Sequence, residues 1–212
     1  MIFKEDSIMN GDAIVMHKWE DLMMKKHAEV VCQNGGDILE IGFGMGISAD
    51  YIQTQDINSH TIIEQDKQIY EKLLEWSKDK PNVKTIFGDW ITNLPEKKFD
   101  GIFRDTWGEF LGKKVFPLKI LNVCKVGTIV TFFNNTNDKK TMYGVDKWGA
   151  PFLKNKELKF YKVDIKIPDY VNYLPNYNRD RYYVPEWVVD ETDTKEKFES
   201  IINLQNMIGN NN

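Results

Sequence analysis

The chain has 212 residues and a net charge of −4, with 28 basic and 32 acidic side chains, and 42 % of its residues are hydrophobic. This size and composition predict a single globular unit with a sizeable core, and they exclude disorder for most of the chain. The negative charge, without a basic run interleaved with aromatic residues, disfavours nucleic acid as a partner.

The first predicted elements form one strand between two helices. Apolar residues at spacings of three and four predict a long amphipathic helix over residues 13–34. A short apolar strand, Asp37–Ile41, then runs into a turn with glycine at positions 42, 44 and 46, and a helix is predicted over residues 48–53. Strand, tight turn and helix in this order open a βαβ unit.

The same alternation continues along the chain. Strands are predicted at 60–63, 83–87, 99–103 and 128–133, with helices at 69–76 and 115–124 and Pro117 in the first turn of the latter. Two further strands, 160–167 and 182–189, lie too close for a helix between them and predict an antiparallel hairpin. The expected fold is α/β: a Rossmann-like, doubly wound, mostly parallel seven-stranded sheet with a leading helix and a C-terminal hairpin.

Residues 1–190 are predicted to form one domain, and residues 191–212 a helical tail with a frayed end. The two cysteines, Cys32 and Cys124, are too few and too far apart for a metal cluster. No signal peptide or apolar run of membrane-spanning length occurs in the sequence. We therefore expect reduced thiols, no metal, no membrane partner and a cytoplasmic protein.

The glycine turn is a place where backbone can approach a ligand closely, and the following helix presents unpaired N–H groups there. A tight turn without any ligand would have the same sequence. The dinucleotide pattern G-x-G-x-x-G needs glycine at position 47, which is Ile47 here. The turn thus departs from the NAD-binding pattern.

Polar side chains follow the next two strands. Glu64 comes about twenty residues after Gly42, where a carboxylate can accept hydrogen bonds from both hydroxyls of a ribose. Asp89 and Trp90 offer a carboxylate for an exocyclic amine and a ring for stacking. Each could be ordinary loop chemistry, but parallel strands end at one edge, and together they predict an adenosine site. Because no phosphate-binding loop is present, the site fits S-adenosylmethionine better than ATP.

These residues resemble the class I S-adenosylmethionine-dependent methyltransferases, and within them guanidinoacetate N-methyltransferase and its arginine-methylating relatives. The glycine motif Glu40-Ile41-Gly42-Phe43-Gly44-Met45, the pair Trp19-Glu20 and the pair Asp105-Thr106 carry the resemblance most specifically. The matching blocks, spread over residues 15 to about 190, are 15–20, 38–45, 60–64, 99–106 and 181–183.

The resemblance implies that Glu20 and Asp105 hold a planar guanidinium in the substrate. A guanidinium has a pKa above about 12 and no free lone pair, so it is a poor nucleophile until a proton is removed or shared. We expect Asp105 to be the base and Glu20 the clamp. The spacing of Met16, Glu20 and Met24 predicts that the Glu20 carboxylate lies on a helix stripe between two methionines.

The resemblance also implies the remaining site residues. Trp107 is expected to form a wall of the guanidinium site, and core packing is an equally good explanation for it. The residues expected at the substrate are Glu20, Asp105, Thr106, Trp107, Thr136 and Asn137. The residues expected at S-adenosylmethionine are Met16, Met24, Glu40, Gly42, Phe43, Gly44, Met45, Gly46, Ile47, Glu64, Gln65, Asp66, Gly88, Asp89, Trp90 and Asp105.

The predicted function is therefore S-adenosylmethionine-dependent N-methylation of a small guanidino compound, guanidinoacetate-like or arginine-like, by a monomer or homodimer. Two alternatives stay open at this point. The chain could methylate an arginine in a protein or another small amine, or it could be a cofactor-binding module without activity.

Overall fold

The computed structural model describes residues 1–107, 110–133, 158–171 and 179–200. Its main sheet has seven strands in the order β6-β5-β4-β7-β8-β10-β9. The first five of these are parallel, while β10 runs antiparallel to both β8 and β9. The strands are β4 (Asp37–Ile41), β5 (Ser59–Glu64), β6 (Val83–Phe87), β7 (Phe99–Arg104), β8 (Cys124–Phe132), β9 (Lys159–Asp164) and β10 (Arg181–Val188).

This confirms the predicted α/β fold with its C-terminal antiparallel hairpin. The parallel strands are readable from the sequence because they are covered on both faces and consist of short apolar runs. In β4, for example, Ile38, Leu39 and Ile41 are all buried. The first and last residues of β4–β7 differ from their predicted positions by one residue at most.

Helices cover both faces of the sheet. On one face α1 packs with Ile38 and Phe103, and α2 and α3 pack with Ile62. On the other face α4 and α5 pack around Trp90 and Phe116. The helices are α1 (Asp21–Val31), α2 (Ile47–Gln53), α3 (Lys67–Ser77), α4 (Trp90–Asn93) and α5 (Phe110–Ile120).

The predicted helix over residues 13–34 is wrong in its first third. Ala13–His17 is a strand, β3, which pairs with β2 (Ser7–Asn10), and β2 pairs with β1 (Ile2–Phe3). A two-residue loop with Gly11 at a φ of 58° joins β2 to β3, and glycine is favoured there because the loop needs a positive φ. After β3 comes a short 3₁₀ helix, Lys18–Glu20, so α1 begins only at Asp21.

This three-stranded antiparallel sheet packs against α3. Ile8 and Phe3 lie in one apolar cluster with Ile69 and Leu73, and the ammonium of Lys72 lies 4.4 Å from the centre of the Phe3 ring. The N-terminal strands are thereby placed over the edge of the main sheet at which the parallel strands end.

Several other boundaries differ from prediction: β9 ends at Asp164 and not at residue 167, and α5 ends at Ile120 and not at residue 124. Helix α5 begins at Phe110, so Pro117 lies inside it and not in its first turn; the buried side chains of Phe116 and Ile120 offset the hydrogen bond that proline removes. Strand β8 begins four residues earlier than predicted, at Cys124. The short helix α4 was not predicted.

The tail is described only in part. Residues 195–200 are helical, and the buried ring of Phe198 packs edge-on against Trp187, with 6.1 Å between their centroids. Residues 201–212, which include the end of the tail where fraying is predicted, lie outside the described residues. Among the described helices, none is at once long enough and apolar enough to cross a membrane.

Candidate active site

A cleft opens where β4, β5, β6 and β7 end. Its empty volume is about 710 Å³, counting the part open to solvent, which is within the range of small-molecule sites. The predicted site residues that line it are Met16, Gly42, Phe43, Gly44, Glu64, Gln65, Asp66, Gly88, Trp90, Asp105, Thr106 and Trp107.

The glycine turn is held against the end of β7. The N–H of Asp105 donates to the carbonyl of Ile41 over 2.9 Å, and a Cβ on Gly42 would lie 1.9 Å from the carbonyl oxygen of Asp105. Gly42 also has a φ of 93°, a conformation that side chains rarely allow. The first glycine is therefore required by the close approach of two backbones.

The third strand of the N-terminal sheet meets the same turn. The thioether sulfur of Met16 accepts a hydrogen bond from the N–H of Met45 over 3.1 Å, and a Cβ on Gly44 would lie 2.6 Å from that sulfur. The prediction that Met16, Glu20 and Met24 share a helix stripe is wrong, because Met16 lies in β3 and Glu20 ends the 3₁₀ helix. All three side chains are nevertheless buried.

Glu64 forms the floor of the cleft at the end of β5. Its Oε2 accepts from the N–H of Phe43 over 2.9 Å, and its Oε1 accepts from the N–H of Asp66 over 2.8 Å. Burial raises the pKa of this carboxyl, and the backbone donors, Gly44 and Gln65 among them, act in the opposite direction. The carboxylate is thus aimed at the turn that the sequence predicts to bind a ligand.

Glu20 is almost fully buried, with 2 % of its surface exposed. Its Oε1 accepts a hydrogen bond from the N–H of His17 over 2.8 Å. Burial, and secondly the charge of Asp105, raise the pKa of Glu20 well above the ordinary value of 4.5. The fold therefore brings the two predicted catalytic carboxyls within electrostatic reach, although Glu20 itself does not line the cleft.

Asp105 and its neighbours stand at the end of β7. Asp105 and Thr106 are half-buried in the cleft wall, and Trp107 is 40 % exposed at its rim. A half-buried carboxylate facing a cleft can bind a cationic group from solvent while it stays close to Glu20.

Asp89 and Trp90 have different roles: Asp89 caps a helix, and Trp90 forms part of the cleft wall. The Oδ1 of Asp89 accepts from the N–H of Ile91 over 2.9 Å and so caps α4, a common role for aspartate. Trp90 lines the cleft with 2 % of its surface exposed, and its ring packs edge-on against Phe116 at 5.9 Å. Trp90 is therefore a rigid part of the cleft wall.

Behind the glycine turn lies a buried polar cluster. Glu40 Oε2 lies 2.9 Å from His60 Nε2, with both side chains fully buried, and the hydroxyl of Ser48 donates to Glu40. Gln53 Nε2 lies 3.3 Å from His60 Nδ1. Since Ser48 lines the cleft and Glu40 does not, Glu40 supports the turn from behind through this serine.

Seven predicted site residues do not line the cleft: Glu20, Met24, Glu40, Met45, Gly46, Ile47 and Asp89. Thr136 and Asn137, predicted at the substrate, lie outside the described residues. Sequence reasoning missed six lining residues, Met1, Val15, Ile41, Ser48, Ile63 and Ile69. The pattern of Gly11 between two apolar runs could have revealed the hairpin that brings Val15 there.

The described residues contain no group of three His, Cys, Asp or Glu side chains placed to hold a metal ion. Cys32 and Cys124 are free and buried, and burial raises the pKa of each thiol to about 12. Both thiols are therefore protonated at neutral pH.

A family model and curated relatives both match this chain, and all of them are N-methyltransferases. The sequence profile described as "Guanidinoacetate N-methyltransferase" matches residues 5–143. A protein arginine N-methyltransferase 2 of Yarrowia lipolytica is 31 % identical over 148 residues, which cover 63 % of this chain and 31 % of the relative. Its Saccharomyces cerevisiae counterpart is 28 % identical over 204 residues, which cover 85 % of this chain and 49 % of the relative.

The chain thus spans from about a third to a half of the length of these curated relatives. Among solved structures, the N-methyltransferase NodS from Bradyrhizobium japonicum WM9 matches with a TM-score of 0.57 and 13 % identity, covering 82 % of this chain and 97 % of that one. At this identity the likeness shows the fold alone, which is the Rossmann-like fold of methyltransferases.

Proposed function

The chain belongs to the guanidinoacetate N-methyltransferase family, and from this premise we propose that it transfers a methyl group from S-adenosylmethionine to the guanidino group of a small molecule. The observation that carries the proposal is the pairing of two carboxyls, Glu20 and Asp105, beside the cleft. Two carboxyls within electrostatic reach of each other favour a cationic group between them, and a guanidinium offers carboxylates planar, bidentate N–H donors.

The cleft residues fit S-adenosylmethionine. The turn at Gly42 and Gly44 presents backbone where side chains would clash, and Trp90 supplies a flat apolar wall. Glu64 lines the cleft beside the glycine turn, where its Oε2 accepts from the N–H of Phe43, and a carboxylate at this place can accept hydrogen bonds from the hydroxyls of a ribose. S-adenosylmethionine, when bound, supplies an electrophilic methyl group on a sulfonium sulfur.

The protein's own residues then act on the guanidinium. Glu20, held at one oxygen by the N–H of His17, would fix the plane of the guanidinium as a clamp. Asp105, half-buried in the cleft wall, would accept the proton that the attacking nitrogen gives up. Positioning and proton removal together turn a poor nucleophile into a competent one.

A second substrate class has its own support. The curated relatives are named protein arginine N-methyltransferases. At the rim of the cleft, 40 % of the surface of Trp107 is exposed to solvent, where a larger substrate could contact it. An arginine side chain on a polypeptide presents the same guanidinium to the same two carboxyls. The substrate could thus be a free compound or an arginine in a protein.

A substrate panel tests the function and separates the two classes. Labelled S-adenosylmethionine is incubated with guanidinoacetate, arginine, agmatine, an arginine-containing peptide and ornithine, which has an amine but no guanidino group. Label on the free guanidino compounds alone supports the proposal, and label on the peptide alone supports the second class. Label on ornithine, or on none of them, overturns the guanidino assignment.

A further inference from the structure

His17 stands where the N-terminal sheet joins the helix that follows it. It is the last residue of β3 and the N-cap of the 3₁₀ helix Lys18–Glu20. Its N–H donates to Glu20 Oε1 over 2.8 Å, and its ring Nδ1 accepts from the N–H of Trp19 over 3.1 Å. These reciprocal hydrogen bonds hold the Glu20 carboxylate to a fixed turn.

Histidine is not among the residues usually found at an N-cap, and it brings a constraint that serine or asparagine does not. Because Nδ1 accepts a hydrogen bond, the neutral ring must carry its proton on Nε2. Nε2 lies 3.4 Å from Oδ2 of Asp6, so the Asp6 carboxylate favours the tautomer that the cap requires.

Asp6 is itself tied to the same turn. Its carbonyl oxygen accepts from the N–H of Lys18 over 2.8 Å, and the hydroxyl of Tyr170 lies 3.4 Å from its Oδ2. In the described part of the chain, Asp6 and Tyr170 face the His17 ring, and Glu20 contacts the His17 backbone N–H. Burial lowers the pKa of His17, while the charge of Asp6 acts in the opposite direction, so the ring is neutral at physiological pH.

We infer that the Asp6–His17 pair is a positioning device for the Glu20 carboxylate: Asp6 fixes the His17 tautomer, and His17 fixes the turn that presents Glu20 to a guanidinium. This inference rests on the proposed function for its catalytic consequence. Neither residue touches the reacting atoms, so both are positioning residues.

Substitution at Asp6 tests the inference without touching the core, because 44 % of this side chain is exposed. Asp6→Ala removes the acceptor, and Asp6→Asn keeps an acceptor and removes only the charge. In Asp6→Ala we expect the KM for the guanidino substrate to rise about tenfold with the S-adenosylhomocysteine Kd unchanged, and in Asp6→Asn a KM close to that of the wild type. Asp79→Ala, which removes an exposed carboxylate paired with Lys80 just after the C-terminal end of α3, is the matched control.

Nitrogen NMR of the His17 ring shows directly which ring nitrogen carries the proton, and it does not depend on enzyme activity. The wild type should show Nδ1 unprotonated and Nε2 protonated, and Asp6→Ala should show a mixture of tautomers. A protonated Nδ1 in the wild type would overturn the inference. So would an Asp6→Ala variant with an unchanged ring, or one that alters cofactor affinity as much as the guanidino KM.

A second pair of variants tests the cap itself. His17→Ala removes the acceptor for the N–H of Trp19, and His17→Asn restores a cap of the ordinary kind. We expect His17→Ala to raise the KM for the guanidino substrate and His17→Asn to keep it close to the wild-type value. An equal rise in both variants would contradict the inference. If the wild type methylates no guanidino compound, the proposed function fails, and the ring spectra still decide whether Asp6 sets the tautomer of His17.

Discussion

The carboxyl of Glu20 is buried beside the charge of Asp105, and both burial and that charge raise its pKa. The two residues are far apart in the sequence: Glu20 ends the 3₁₀ helix before α1, and Asp105 directly follows β7. Burial and the nearby charge therefore disfavour the ionised form of Glu20 in the folded protein, so this carboxylate destabilises the folded state when it is ionised.

Glu20→Gln should therefore make the protein more stable and less active. An acid whose pKa is raised by folding weakens the fold as the pH rises from the ordinary glutamate value through the raised one. At pH 8 we expect the free energy of unfolding of Glu20→Gln to exceed that of the wild type by about 1–3 kcal/mol, and this difference should shrink towards pH 4. Denaturant titrations at both pH values measure it.

Glu75→Gln is the control for this prediction, because 73 % of the Glu75 side chain is exposed and its replacement should change stability little. A Glu20→Gln variant less stable than the wild type at pH 8 would show that the buried carboxylate is not a destabilising charge.

The affinity for a guanidinium should rise with pH. A bound cation favours the ionised form of Glu20 and so lowers its raised pKa, and binding releases a proton at pH values between the pKa of the complex and that of the free protein. Calorimetric titration of arginine, in the presence of S-adenosylhomocysteine and in two buffers of different ionisation enthalpy, measures this release. No proton release at any pH above the ordinary glutamate value of 4.5, or an affinity that falls with pH, would argue against Glu20 as the clamp.

Substitution of two glycines with nearly equal φ values can distinguish the cost of backbone strain from the cost of a steric clash. Gly42 and Gly127 have φ angles of 93° and 89°; a Cβ on Gly127 meets nothing within 4 Å, whereas one on Gly42 would lie 1.9 Å from the carbonyl oxygen of Asp105. Gly127→Ala should cost about 1–3 kcal/mol, the price of strain alone. Gly42→Ala should cost more and should also abolish S-adenosylmethionine binding, as thermal unfolding and calorimetry can show. Equal effects would mean that the Gly42 turn is not held against β7.

His27 should make the fold sensitive to acid. Its Nδ1 lies 2.8 Å from the hydroxyl of Thr131 and its Nε2 lies 3.3 Å from that of Tyr182, and burial lowers its pKa to about 3. In the unfolded chain His27 binds a proton below about pH 6.5, whereas in the folded protein it stays neutral down to about pH 3. The free energy of unfolding should therefore fall as the pH is lowered from about 6.5 to 3, by up to about 1.4 kcal/mol per pH unit.

The variant His27→Gln removes this titration. It should be less stable than the wild type at pH 8, where its hydrogen bonds are poorer, and it should lose less stability on acidification. Parallel stability curves for the two proteins between pH 7 and pH 4 would rule out His27 as the source of the acid sensitivity.

The parallel strands were predictable because each is a short apolar run that ends sharply, as β4 ends at Gly42. The β2–β3 hairpin was not predicted, because the apolar residues of β3, such as Val15, fit a helical spacing with those of α1 as well as they fit a strand, and the only local signal for it was the turn at Gly11. His17 gave no cap signal either, since histidine is not a usual N-cap. The sequence pattern therefore predicts a helix over the residues of β3, a strand whose residues Val15 and Met16 line the cleft.

Residues of the candidate site were predictable from the local sequence only where a polar side chain lies at the end of a strand or directly after it. Glu64 and Asp105 meet this condition, because parallel strands end at one edge. Glu20 does not, and only the resemblance of residues 15–20 to the family indicated it. The partnership of Glu40 with His60 depends on the pairing of β4 with β5, a tertiary contact that no local pattern encodes.

The most direct test of the paired-carboxylate account is the affinity for arginine against that for citrulline, its uncharged urea analogue, measured by calorimetry with S-adenosylhomocysteine present. We predict that the wild type binds arginine and not citrulline, that Asp105→Asn and Glu20→Gln each weaken arginine binding at least about tenfold, and that the double variant loses less than the sum of the two. Equal affinity for citrulline, or arginine binding that neither substitution changes, would contradict the account.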